Sequence, residues 1–309
     1  MNGKKQKSSP DYSAWVRCLV EASGEEAASK PRNLAPGLYV VATPIGNRGD
    51  ISLRALHTLA EADVVACEDT RVTGALLHGY GLKKPLLSYH DHNAAERLPE
   101  LLARLGAGEA VALVSDAGTP LISDPGYKLV QACRAAGHDV VAVPGASALL
   151  TALASCGLPT DRFLFAGFLP PKKTARQKEL AELAGIPATL VFYESAPRLG
   201  ATLADMAAVL GGGRHAAVAR ELTKLFEDMR TATLAELAGQ YAEEDTPKGE
   251  IVIVVGPPDA AEAALPDIDA LLVQALATQT LRDAVAAVTA ATGAKKSEVY
   301  QRALALTQG

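Results

Sequence analysis

One stretch constrains this chain more than any other: Val114-Ser115-Asp116-Ala117-Gly118-Thr119-Pro120-Leu121-Ile122-Ser123-Asp124-Pro125-Gly126. It follows an apolar run at 110–114 that reads as a buried strand, and it precedes a helix expected over 127–136. Small residues, two prolines and two carboxylates thus fall at the carboxyl end of a strand, where open α/β sheets bind ligands. Gly118 and Gly126 permit close backbone approach or positive φ. Pro120 and Pro125 stiffen the loop. Asp124-Pro125 also predicts a helix start, with Asp124 as cap and Pro125 as first helical residue. A plain strand-to-helix turn would account for a shorter run. Thirteen residues so free of long side chains read as a backbone-lined ligand cradle.

The surrounding sequence repeats the pattern. Strands are expected at 38–42, 63–67, 85–89 and 139–143, each leading into a polar or glycine-bearing turn and then a helix. Ser52 is expected to cap a helix running to Ala62. Alternation of this length indicates a parallel sheet with helices on both faces. Its polar turns, among them Thr43-Pro44-Ile45-Gly46, Glu68-Asp69-Thr70-Arg71 and Pro144-Gly145-Ala146-Ser147-Ala148, should gather along one sheet edge. A boundary is expected near 158–161. Beyond it, strands at 163–167, 188–193, 216–220 and 250–255 predict a second α/β domain with a partly antiparallel sheet. The division read from the chain is an extension and linker at 1–36, disordered or partly helical, α/β domains at 37–158 and 159–260, and a helical tail at 266–309. In the tail, Thr280 with Asp283 approximates a capping box, Gly293 supplies a stop, and Ser297 caps a final helix. These helices fit a helix-turn-helix or a packing hairpin equally well.

Composition narrows the chemistry. The net charge of -5 over 309 residues argues against gripping nucleic acid by overall charge, though not against a local basic patch. Lys172, Lys173, Arg176 and Lys178 crowd one such segment, and Arg198, Arg220, Lys224 and Lys248 flank strands, which together suggest a phosphate-bearing substrate at one mouth of a cleft. Cys18, Cys67, Cys133 and Cys156 lack metal-ligand spacing and point to a reducing, cytoplasmic compartment. No membrane-spanning run is found. His90 and His92 alternate on an extended segment and are expected to point apart, so no metal site is expected. No phosphate-binding glycine fingerprint occurs, and no nucleophile–histidine pair follows from spacing. What remains is a backbone-rich cleft suited to direct transfer between two bound molecules.

These motifs resemble a known family. The stretch from Ser115 to Gly126, with Thr43-Pro44-Ile45-Gly46-Asn47, Glu68-Asp69-Thr70-Arg71, Tyr89-His90-Asp91-His92-Asn93, Gly167-Phe168-Leu169-Pro170, Tyr193-Glu194-Ser195 and Arg220-Glu221-Leu222-Thr223-Lys224 in that order, is similar to the tetrapyrrole methylase superfamily. Within it, the match is to the branch that methylates small-subunit ribosomal RNA. The resemblance covers about 38–258, and the tail is similar to that branch's small C-terminal domain. It implies two α/β domains with S-adenosylmethionine in the cleft between them, a homodimer, and methyl transfer to the ribose 2′-hydroxyl of a cytidine in the decoding region of 16S rRNA within the small ribosomal subunit. By that pattern the cofactor site comprises Thr43, Pro44, Ile45, Gly46, Gly118, Thr119, Pro120, Leu121, Asp124, Ser147 and Ala148, joined by Glu194 and Gly249 from the second domain. Glu68, Asp69, Asp116 and Glu221 are candidates for a general base, and Arg71, Arg220 and Lys224 for holding phosphates or orienting those carboxylates. Two other readings stand beside this one: a methyltransferase acting on a small substrate such as a tetrapyrrole, and a non-catalytic rRNA-binding assembly factor.

Overall fold

The computed structural model describes residues 34–258, 268–292, 294 and 296–308. Its first half is a five-stranded parallel sheet in the order β3-β2-β4-β1-β5. The strands are β1 (Gly37–Val41), β2 (Val64–Cys67), β3 (Leu86–Ser88), β4 (Ala110–Val114) and β5 (Val140–Val143). Every residue of the central β4 is buried, as a strand covered on both faces requires. One face carries a core around Val41, Leu59, Val65 and Ala112, and the other a core around Leu38, Leu101, Leu113 and Leu129. The helices are α1 (Leu53–Glu61), α2 (Thr70–Gly79), α3 (Ala94–Gly106), α4 (Tyr127–Ala135) and α5 (Ala148–Ser155). Side chains of Ser52, Asp69 and Ser147 accept backbone N–H groups at the starts of α1, α2 and α5. Three of the five strand-end turns are thereby fixed, and all five open on the same edge of the sheet.

The second half holds a sheet in the order β6-β7-β10-β8-β9. It is built from β6 (Phe163–Phe168), β7 (Thr189–Ser195), β8 (His215–Arg220), β9 (Asp228–Thr233) and β10 (Glu250–Val255), with helices α6 (Lys173–Leu183), α7 (Leu199–Leu210) and α8 (Leu234–Glu243). Only β6 and β7 run parallel, and the other pairs are antiparallel, so the sheet is mixed as expected. The two halves share one apolar cluster. Ile45, Leu149, Ala152 and Leu153 from the first pack against Val191, Ala217, Ala219 and Val252 of the second sheet. Helix α5 therefore belongs by chain to the first half and by packing to both. Three further helices, α9 (Ile268–Leu276), α10 (Leu281–Thr292) and α11 (Lys296–Gln308), enclose their own core of Ile268, Leu272, Val285, Val288 and Val299.

Several expectations are corrected here. Asp124 does not cap a helix and Pro125 does not begin one. The N-cap of α4 is Gly126, at φ 133°, with no side-chain bond. The loop instead curls through left-handed Leu121 (φ 73°) and Ser123 (φ 64°), which leaves Asp124 bordering the cavity between the halves. Ser297 lies inside α11, which starts at Lys296. Thr280 and Asp283 do exchange the expected bonds, 2.6 Å side chain to side chain and 3.3 Å from the Asp283 N–H. Gly293 and nearly all of the amino-terminal extension lie outside the described residues. Strand β7 continues through Ser195, so Glu194 and Ser195 end the strand rather than follow it.

Candidate active site

Two cavities adjoin at the carboxyl edge of the first sheet. The larger, about 600 Å³, lies between the two halves. The stretch 116–124 forms one wall, the start of α5 another, and the ends of β7 and β10 the third. Ile45, Gly118, Thr119, Asp124, Ser147, Ala148, Glu194 and Gly249 border it, as does Asp116. Thr43 sits just beneath. Its N–H and carbonyl pair reciprocally with Gly118 at 2.8 and 3.0 Å, and its hydroxyl donates to the Ser115 carbonyl at 3.2 Å. Pro44, Gly46, Pro120 and Leu121 brace these loops without bordering the cavity. Thr119 donates to the Ala146 carbonyl at 3.2 Å, which ties the two glycine-bearing turns together.

Gly118 needs its glycine. Its φ is 85°, and an added Cβ would stand 3.3 Å from the Ile45 side chain. Gly249 (φ 104°) is similar, because a Cβ there would enter the Glu221 carboxyl group. Glu194 faces the cavity, yet its oxygens are spoken for. Thr202 donates to Oε2 at 2.6 Å, Ser195 N donates to Oε1 at 2.7 Å, and Arg198 Nε lies 3.3 Å away. It shapes the wall from within.

Asp124 is the electrostatic outlier. Burial drives its pKa up to about 6, the Ser115 hydrogen bond opposes the rise, and the negative charges of Glu68 and Asp116 add to it. Sequence reasoning left Phe168 and Tyr193 without roles, although both stood in its motifs. They border the cavity and meet edge to face with centroids 5.7 Å apart, while Phe165 supports Tyr193 at 4.8 Å.

The second cavity, about 470 Å³ and more open, is bordered by Glu68, Asp69, Thr70, Arg71, Ser88, His90, His92 and Asp116. Asp116 borders both cavities. Its Oδ1 accepts the Asp69 N–H at 3.1 Å. Asp69 caps α2 and grips the exposed Arg71 guanidinium at 2.6 Å, and those bonds hold its pKa down at about 2. His90 and His92 do not point apart. Their ring centroids are 5.9 Å apart, because the His90 N–H donates to Asn93 Oδ1 and the Asn93 N–H returns to the His90 carbonyl, turning an expected extended segment into a turn.

Arg220, Glu221 and Lys224 gather elsewhere. Lys224 bridges Glu221 (2.7 Å) and Glu250 (2.9 Å), and its stem covers Gly46. Glu221 (φ 52°) and Thr223 (φ 66°) are left-handed, and the Thr223 hydroxyl accepts the Asn47 N–H at 3.2 Å, linking the halves. The lysine hydrogen bond holds the Glu221 pKa down. The expected basic mouth is also revised. Arg176 is buried in an ion pair with Asp205, which Gln177 completes at 2.8 Å. Arg198 donates to the Leu169 carbonyl at 2.6 Å, and Arg220 to that of Lys248 at 3.4 Å. These arginines fasten loops. Among the described residues, no cluster of three or more His, Cys, Asp or Glu side chains could hold a metal ion.

A parallel sheet, a mixed sheet and a crevice between them define a class. Residues 37–238 match the family described as Tetrapyrrole (Corrin/Porphyrin) Methylases, and residues 262–307 match the RsmI C-terminal HTH domain. The fold is shared with a solved cobalt precorrin-4 methyltransferase (TM-score 0.55, 19% identity, 74% of this chain and 98% of that one). It is also shared with uroporphyrin-III C-methyl transferase from Thermus thermophilus complexed with S-adenosyl homocysteine (TM-score 0.51, 22% identity, 71% and 96% covered). Curated relatives are closer in sequence. Ribosomal RNA small subunit methyltransferase I of Mesorhizobium japonicum is 54% identical over 89% of this chain and 94% of its own length. That of Escherichia coli O157:H7 is 48% identical over 86% and 94%. The chain belongs to the ribosomal RNA small subunit methyltransferase I family, within the tetrapyrrole methylases.

Proposed function

We propose that this chain transfers the methyl group of S-adenosylmethionine to the ribose 2′-hydroxyl of a cytidine in the decoding region of 16S rRNA, acting as a homodimer on the small ribosomal subunit in the cytoplasm. The observation that carries this reading is Asp116, which borders both the closed cavity and the open polar one. A methyl donor in the first and an acceptor in the second would meet at that residue.

The closed cavity fits the cofactor. Its volume of about 600 Å³ lies within the range of small-molecule sites. The Gly118 turn brings bare backbone to the wall, where a Cβ would crowd Ile45. Phe168, Tyr193 and Ile251 offer apolar area, and Asp124 offers negative charge to a cationic ligand. When bound, S-adenosylmethionine supplies a sulfonium methyl that is already strongly electrophilic. The chain's task is then to align the hydroxyl, exclude water and take one proton.

Of the four carboxylates considered as base, Asp69 is committed to Arg71 and Glu221 to Lys224, both held below their ordinary values, and Glu68 borders the open cavity alone. Asp116 keeps Oδ2 free of any bond among the described residues and stands at the junction. It is assigned as the group that accepts the hydroxyl proton. The Glu221–Lys224–Glu250 cluster positions the far wall through Gly249 and Glu250. Support for a homodimer comes from the edge strand β5, where Val141 and Ala142 are exposed beside the start of α1. No described helix is long and apolar enough to cross a membrane.

The test is methyl transfer from labelled cofactor to small ribosomal subunits lacking the modification, with uroporphyrinogen as the competing acceptor. Label in the RNA, mapped to one cytidine ribose, is expected. Label in the tetrapyrrole alone, or in neither, overturns the reading. Light scattering at micromolar concentration should give the mass of two chains.

A further inference from the structure

The second cavity is more acidic than basic. Glu68, Asp69 and Asp116 stand against a single arginine, and Asp69 already holds that arginine through three hydrogen bonds. Among the described residues, no hydrogen-bond donor meets the Glu68 carboxylate. Burial, then repulsion from Asp116 and Asp91, pushes its pKa up. Such a cavity repels a phosphate and favours a ligand that brings hydrogen-bond donors. It also offers flat rings. His90 and His92 lie edge to face at 64°, and His90 Nδ1 is shielded from solvent with no partner among the described residues. Rings for stacking beside unpaired carboxylates are what an unstacked nucleobase with an exocyclic amino group requires.

We propose that this cavity takes the base of the acceptor nucleotide, and that Glu68 reads its exocyclic amino group, selecting cytosine over uracil. The inference rests on the reading that the acceptor is a cytidine ribose. Cytosine places an N4 amino donor where uracil places a carbonyl oxygen. Against Glu68 the amino group completes a hydrogen bond, whereas the carbonyl leaves two lone-pair surfaces facing one another. With the base seated here, its ribose falls at the Asp116 wall, which is also a wall of the cofactor cavity. A base reaches this depth only when it has left its stack, so the nucleotide is engaged in an extruded state. Arg71, 89% exposed, borders the cavity at its rim, where Asp69 holds its Nε and Nη2 and leaves Nη1 turned to the sugar–phosphate backbone.

The experiment compares single-turnover transfer by the full chain on small subunits carrying either cytidine or uridine at the methylated position. The wild type should prefer cytidine strongly. Glu68→Gln should shrink that preference about tenfold or more, the size of one lost base-reading contact, with cofactor affinity within about twofold of wild type by calorimetry. His92→Ala should slow both substrates alike and leave the ratio intact, as loss of a stacking surface does. An unchanged ratio in Glu68→Gln overturns the base assignment and leaves the function standing. Parallel loss of cofactor affinity overturns it too, by placing Glu68 in the other site. A wild type that methylates neither subunit overturns the function reading and the inference with it.

Discussion

The two adjoining cavities recognise by different means. The closed one sets the Gly118 and Gly249 turns and the N-terminus of α5 against apolar side chains such as Ile45, Phe168, Tyr193 and Ile251. The open one is walled by side chains that titrate or donate: two histidines, three carboxylates and an arginine. The closed cavity also lies between two sheets locked by a shared apolar cluster, whereas the open one lies within the first half alone. A cofactor that never varies can be held by backbone placed once and for all. An acceptor that must be distinguished from its near relatives needs side-chain chemistry. The difference predicts that damage to the first cavity is steric and severe, and that damage to the second is chemical and selective.

The largest effect should come from Gly118→Val. Its branched side chain at a φ of 85° cannot be accommodated without moving the loop, and the first added atom already presses on Ile45. Calorimetry should detect no cofactor binding by a protein whose circular dichroism matches wild type. Normal affinity would break the claim that backbone carries this site. Asp116→Asn comes next. It keeps the shape at the junction but removes the proton acceptor, so single-turnover transfer should fall roughly a hundredfold with cofactor affinity nearly unchanged. Near-normal turnover would mean that alignment alone suffices and that the junction is only a wall.

The shared cluster between the halves offers a third test. Leu153, 5% exposed, projects from α5 into the interface. Leu153→Ala should cost about 2–4 kcal/mol in unfolding free energy from lost burial and the residual cavity. If α5 fixes the wall of the closed cavity, the same variant weakens cofactor binding several-fold. A loss of stability with intact affinity would separate the interface from the site.

How much of this was legible in the sequence follows from the physics of each signal. Apolar runs such as Ala110–Val114 and Glu250–Val255 announced their strands, because burial on both faces leaves little choice of residue. Asp228–Thr233 announced nothing. Asp228, Arg230 and Thr233 are half-buried and Thr231 is exposed at a sheet edge, where pairing rather than hydrophobicity makes the strand. The rule that polar residues follow strands found both cavities, yet it could not assign residues between them. With two sheets presenting strand ends, Glu68 and Glu221 look alike by position, and only the fold sends one to the open cavity and the other to a buttress beneath Gly249. Arg176 misled for a similar reason. Charge is visible in sequence, but its partner Asp205, twenty-nine residues on, is not. The Asp124 cap was local propensity overruled by the left-handed turn at Leu121 and Ser123, with the helix starting after Gly126.

The burial of Asp124 sets up the smallest and most diagnostic test, a change in the sign of one substitution. Asp124 titrates at about 6 in the fold, above the ordinary carboxylate value of 3.8 that the unfolded chain retains. A group whose folded pKa is raised contributes stability fully present below the unfolded value and lost as pH rises through the folded one. At pH 8 the native state therefore carries a crowded, partly buried charge at some cost, and at pH 4 it does not. Asp124→Asn is neutral throughout and should gain on wild type as pH climbs from 4 to 8. After allowance for solvent screening of this half-buried group, the gain is about 1 kcal/mol, or about 2 °C in Tm. Cofactor binding should move the opposite way. A cationic ligand in the closed cavity favours ionised Asp124, so wild-type affinity should rise through pH 6 with release of a proton, readable as a dependence of binding heat on buffer ionisation enthalpy. The Asn variant should lose both the pH dependence and the proton release. Stabilisation at pH 8 together with weaker, pH-independent binding would show that the closed cavity maintains one destabilising charge for its ligand. A variant that is no more stable at pH 8 than wild type would remove Asp124 from that role.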